Sequence, residues 1–123
     1  MQKLIFADQD LDRRHRICRH YRASATVLEC GTVHELIQLL ASHRPSLVMI
    51  SLPANQAEAL EAVHHVRGAH PSAHVILVVE HSSEAIAIEA FRAGVSEFLP
   101  PPVSLADIIE TIDQPHATTS ASG

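Results

Sequence analysis

Two runs of this chain, LVMIS at 47–51 and HVILVV at 74–79, are apolar nearly throughout, and strands of that kind are stable only where both faces of their sheet are covered. Helices on both faces require parallel strands joined by crossovers. The remaining sequence supplies the parts. KLIFA (3–7), ATVLE (25–29) and the short SEFL (96–99) are further strand candidates, rich in β-branched or large apolar residues. Each run is followed by a helix signal. Val33, Leu36, Ile37 and Leu40 recur at i, i+3, i+4 and i+7, as do Leu105, Ile108, Ile109 and Ile112, which places each set on one helical stripe. Thr32 with Glu35, and Ser104 with Asp107, have the spacing of a capping box or its acidic variant. Gly94 is expected to close the fourth helix. Five such units with right-handed crossovers make a doubly wound α/β domain, in which ligands gather beyond the carboxyl ends of the strands at the switch in strand order.

Length and composition narrow the possibilities. With 123 residues the chain is sized for one domain with one core. It is divided here into a domain over 1–113 and a tail, QPHATTSASG at 114–123, which is small, polar and aperiodic and reads as a flexible terminus or the start of a linker. A hydrophobic content of 46% with a net charge of -5 suits a cytoplasmic protein. Its apolar runs are too short to span a bilayer, and MQKLIFADQD enters a strand-like run without the pattern of a signal peptide. Cys18 and Cys30 lie in amphipathic segments and read as buried structural thiols. Residues 13–22, RRHRICRHYR, carry five arginines and no acid, so the remainder is more acidic than the whole. A basic helix without a companion basic patch, in an acidic domain, argues against nucleic-acid binding. A phosphate cradle is excluded because the first strand runs into ADQD rather than a glycine-rich turn.

The informative residues therefore lie at the strand ends: Asp8, Gln9 and Asp10; Ser51, Leu52 and Pro53; Val79, Glu80 and His81; and Pro100, Pro101 and Pro102. With the segments LVMISLP and FRAGVSEFLPPPVSLADI and the five-unit spacing, they give a chain that resembles the receiver domains of two-component response regulators over residues 2 to about 113. The resemblance implies a (βα)5 doubly wound parallel sheet of order 2-1-3-4-5, flavodoxin-like, with Mg²⁺ held by an acidic pair and an acceptor aspartate. A Ser or Thr and a Lys would bind the phosphoryl group. Mapped onto this chain, Asp8 keeps the first acid and Gln9 replaces the second. Ser51 stands at the acceptor position, Val79 at the hydroxyl position and Pro101 at the lysine position, followed by the family proline, Pro102. The chain has five aspartates, at 8, 10, 12, 107 and 113, and one lysine, Lys3, so no neighbour in sequence makes good the losses. A serine hydroxyl forms no acyl phosphate and is a poor nucleophile without a base. Asp8 and Asp10 alone would hold Mg²⁺ weakly. The expectation is an atypical receiver with no enzymatic activity and no cofactor.

Other readings of the same residues are weaker. Asp8, Ser51 and His81 suggest a hydrolytic triad, but Ser51 is followed by Leu52 and Pro53 and lacks the glycine-flanked elbow. His64, His65, His70 and His74 straddle a helix end, a turn and a strand start, without the helical pairing of a metal site. Interaction remains. By the resemblance, the face of the fourth helix, fifth strand and fifth helix carries dimer or output contacts, here Glu84, Ile88, Phe91, Arg92 and Phe98. The basic first helix, with Arg13, Arg14 and Arg16, is a second docking candidate for an acidic protein partner. The bond between Pro101 and Pro102 is expected to be cis. The function expected is a phosphorylation-independent interaction module, homodimeric through the fourth helix, fifth strand and fifth helix. It would belong to a bacterial-type regulator whose output domain follows in the same chain, with no membrane or nucleic acid bound by this domain. The alternative is a small-ligand or ion sensor that uses the vacated pocket between Asp8, Ser51 and His81. An open apolar cavity would favour the sensor, and filling by side chains such as Gln9 and Glu80 would favour the interaction module.

Overall fold

A computed structural model of the protein describes residues 2–51, 56–79 and 84–114. Strands and helices alternate as β1 (Lys3–Asp8), α1 (Leu11–Tyr21), β2 (Thr26–Cys30), α2 (Val33–Ser42), β3 (Leu47–Ser51), α3 (Gln56–Ala69), β4 (His74–Val78), α4 (Glu84–Ala93), β5 (Glu97–Leu99) and α5 (Leu105–Asp113). The five strands are parallel and ordered β2-β1-β3-β4-β5, the order the resemblance implies. Relative to the sequence expectation β2 is displaced by one residue, because Ala25 packs into the core ahead of the strand and the pairing with β1 opens at Thr26.

Two apolar layers follow from the pleat. Leu4, Phe6, Leu47, Met49, Ile76 and Val78 point to one face, where they meet Ile17, Cys18 and Tyr21 of α1 and Ile108 and Ile112 of α5. Ile5, Ala7, Val48, Ile50, Val75 and Leu77 point to the other, against Leu36 and Leu40 of α2, Val63 and Val66 of α3, and Ala90 and Ala93 of α4. Every residue of β3 is buried, which is why its sequence is apolar without alternation. Among the described residues no helix is long and apolar enough to cross a membrane.

Helix boundaries follow local chemistry. Ser104 and Asp107 form a complete capping box at α5. Thr32 accepts from the Glu35 N–H at 3.1 Å, but the Glu35 carboxylate turns back to the Gly31 N–H at 2.9 Å, so α2 has the first half of a box and a variant of the second. Gly94 follows α4 with φ of 110°, and a Cβ there would lie 2.7 Å from the Arg67 side chain. Only glycine meets both conditions. Arg67 in turn donates to the carbonyls of Gly94 at 2.7 Å and Ala73 at 2.6 Å, clamping the end of α3 to the start of β4 and the turn before β5. Pro101–Pro102 is cis, as expected. Residues 115–123, most of the predicted tail, lie outside the described residues.

Candidate functional site

The order β2-β1-β3 reverses the direction of winding between β1 and β3, and the crevice this creates lies at their carboxyl ends. Asp8 and Ser51, the last residues of those two strands, are register partners, and the Gln9 N–H donates to the Ser51 carbonyl at 3.2 Å. Asp8 is fully buried and Ser51 is 4% exposed. A carboxylate so placed needs a cation and hydrogen-bond donors.

Both come from the start of α1. Asp10 is the N-cap, its side chain accepting from the Arg13 N–H at 3.1 Å, while its own N–H donates to Asp8 Oδ1 at 2.9 Å. Arg13 therefore sits in the first turn, and a helical side chain leans back toward the N-terminus of its helix. Its guanidinium reaches over the sheet end. Arg13 Nε donates to Asp8 Oδ2 at 2.6 Å, and Nη2 donates both to Asp8 Oδ1 at 2.9 Å and to Ser51 Oγ at 2.7 Å. Both oxygens of the buried acid are engaged by one planar fork, and the same Nη2 that meets Oδ1 also holds the serine. Arg14 donates to the Asp8 carbonyl at 3.0 Å and to Glu29 Oε1 at 2.9 Å, and Arg22 takes the other Glu29 oxygen at 2.8 Å.

The remaining sequence candidates fall as follows. Gln9 and Asp10 are exposed at the rim. Val79 packs against the apolar layer beneath α2–α4, and its N–H donates to the Leu99 carbonyl at 3.3 Å. Pro101 is exposed and offers no N–H. Leu52, Pro53, Glu80 and His81 lie outside the described residues. Among the docking candidates Arg13 and Arg14 are drawn inward, at 20% and 17% side-chain exposure, whereas Arg16 is exposed and pairs with Asp12 at 3.0 Å. The fully buried Asp8 and the partly buried Glu29 attract the first two, whereas the third pairs with the exposed Asp12. On α4, Glu84, Ile88, Phe91 and Arg92 are all exposed, with Phe91 54% exposed. Its ring lies 6.4 Å from that of the half-buried Phe98, and Arg92 pairs loosely with Glu89 at 3.8 Å.

The Mg²⁺ implied by the resemblance does not fit this donor set. A divalent ion needs free carboxylate oxygens. Those of Asp8 are committed to Arg13 and to the Asp10 N–H, and an Asp10 oxygen caps α1. Among the described residues no group of three metal-ligating side chains comes together. Arg13 was not foreseen from the sequence as part of this site. Its signal was there, as an arginine three residues after an N-cap acid and five after the strand-end acid.

A five-stranded doubly wound sheet with a buried acid at its switch point is the architecture of a signal receiver. The chain belongs to the response regulator receiver domain family, whose pattern matches residues 7–113. It is 31% identical over 69 residues to the regulatory protein LuxO of Vibrio vulnificus strain YJ016, an alignment covering 56% of this chain and 15% of that one. The chain thus spans about 15% of the length of that curated relative. Among solved structures it is similar to a CheY-like receiver domain protein from Methanospirillum hungatei JF-1, with TM-score 0.80, 20% identity and coverage of 100% and 99% of the two chains. It is also similar to a protein of Burkholderia pseudomallei K96243 described as pilus assembly-related, with TM-score 0.71, 23% identity and coverage of 91% and 87%.

Proposed function

We propose that this receiver works without phosphotransfer, as a regulatory protein-interaction and dimerisation module. The observation that carries the reading is Ser51 itself, a neutral hydroxyl paired in register with Asp8 and bound by Arg13. It offers neither a carboxylate to phosphorylate nor charge to bind a metal. Val79 and Pro101 add no donor that would follow a phosphoryl group, so the electrostatic trigger of a receiver is missing on three sides. The sensor alternative is disfavoured because a side chain already fills the space between Asp8 and Ser51. Arg13 bonds both residues, where the sequence suggested filling by side chains such as Gln9, which is exposed at the rim, and Glu80, which lies outside the described residues.

The surface this reading favours is α4–β5–α5. Ile88 and Phe91 are exposed, with the Phe91 ring beside Phe98, and aromatic side chains rimmed by charge are the usual anchors of an interface. By the resemblance Phe98 matches the aromatic position that changes rotamer on activation in receivers, and without a hydroxyl at residue 79 to draw it inward it keeps one orientation. The domain would pass its state to an output region elsewhere in a longer chain, as the short coverage of the regulatory relatives suggests. The test is exposure of the domain to a small-molecule phosphodonor, followed by amide NMR with Mg²⁺ and then beryllofluoride. Neither stoichiometric acid-labile phosphate nor shifts around Asp8, Ser51 and Phe98 are expected. Saturable shifts reaching Phe98 would show a working switch and end the reading.

A further inference from the structure

The mismatch between this site and a divalent ion has a specific cause. We propose that the Arg13 guanidinium is the resident cation of the strand-end site, standing permanently where the family would place a metal, so that the site's charge balance is independent of Mg²⁺. The inference rests on the reading above only in taking the site to be without phosphotransfer. Asp8 carries one buried negative charge and Arg13 supplies one positive charge across two bonds of 2.6 and 2.9 Å. Arginine does not lose its proton at any pH a protein survives, so the positive half of the pair is always present. A divalent ion entering the site would have to shed water, break both charge-assisted bonds and sit beside the displaced guanidinium.

Replacing Ser51 by Asp is therefore not enough to rebuild the family's site. The Arg13 Nη2 that now donates to Ser51 Oγ would meet the new carboxylate and bridge it to Asp8. Arg13 is the group whose removal opens the site. The cation also explains a local conflict, since a positive charge in the first turn of a helix opposes the helix dipole. Here Asp8, Asp10 and Asp12 surround that turn and offset the cost.

The experiment uses ¹⁵N-labelled chain and Mn²⁺ as a paramagnetic probe, read from selective broadening of the Asp8, Gln9 and Ser51 amides. Wild type, Ser51→Asp and Arg13→Lys/Ser51→Asp are expected to show none, because each retains a cation at residue 13. Arg13→Ala/Ser51→Asp is expected to broaden saturably, with an apparent affinity at least about tenfold tighter than the background of exposed carboxylates. Arg13→Gln/Ser51→Asp, which keeps the length and a hydrogen bond but no charge, takes its place if the alanine variant does not fold. Saturable broadening in wild type or in Ser51→Asp would overturn the proposal, as would its absence in both charge-removing variants. Phosphate on the wild-type chain would instead defeat the functional reading above, and the two failures are read by different measurements.

Discussion

At residue 13 one side chain decides the character of the site. Breaking a buried ion pair from one side strands the other charge, and Asp8 is fully enclosed while Arg13 keeps some contact with water. Arg13→Ala should therefore lower the unfolding free energy by about 3 kcal/mol, the low end of the range for such pairs, as measured by urea denaturation. Adding Asp8→Asn should restore part of that loss, since the stranded charge is gone. Strict additivity of the two substitutions would show that they do not interact. The two thiols are a quieter case. Burial raises Cys18 to about 11 and Cys30 to about 12, so both remain protonated in the folded state at neutral pH. Their contribution to stability is complete below the unfolded value of 9.0 and is lost as pH rises toward those folded values. Labelling by a thiol reagent at pH 8 should be slow until the chain is unfolded, and rapid labelling of the native protein would contradict the burial.

Among the helices whose N-caps are described, α5 has the most completely specified start. Ser104→Ala removes one half of its box and should cost about 1 kcal/mol, visible as a shifted denaturation midpoint. The Ser104 backbone N–H and then its hydroxyl stabilise the charged form of Asp107, holding its carboxyl below the ordinary 3.8. A depressed carboxylate stabilises the fold fully above its unfolded pKa, and the contribution is lost as pH falls through the lower folded value. The stability gap between wild type and Asp107→Asn should accordingly shrink once pH drops below 3.8, and a gap constant down to pH 2.5, roughly a unit below the model-peptide range, would refute the cap's charge dependence. The Gly94 turn makes a complementary point about shape. Gly94→Ala meets both the positive φ and the Arg67 side chain, so its cost should exceed the roughly 1 kcal/mol usual where alanine is forced into such backbone.

Across the whole molecule, the two helix layers leave different surfaces to solvent. Phe91 contributes little to the core, so Phe91→Ser should change stability by no more than about 0.5 kcal/mol. If α4–β5–α5 is the working interface, the same change should weaken self-association or partner binding at least tenfold, about 1.4 kcal/mol, in sedimentation or pull-down. Arg16→Glu tests the other surface, where an unchanged set of captured partners would remove α1 as a docking site. Much of this architecture was legible beforehand because its causes are local. Apolar strands without alternation demanded two covers, stripes of period 3.6 marked the helices, and Ser104, Thr32 and Gly94 marked ends through bonds spanning a few residues. Strand-end positions followed from the same periodicities, and the family resemblance singled out Asp8, Ser51, Val79 and Pro101 among them. The pairing of Arg13 was decided only by the tertiary structure. Its bond to Ser51 joins residues 38 apart in sequence, and no periodicity encodes which of the four arginines of α1 will lean over the sheet. That choice depends on where the crossover lays the first turn of α1 against the end of β3, and on a buried carboxylate drawing in the nearest cation.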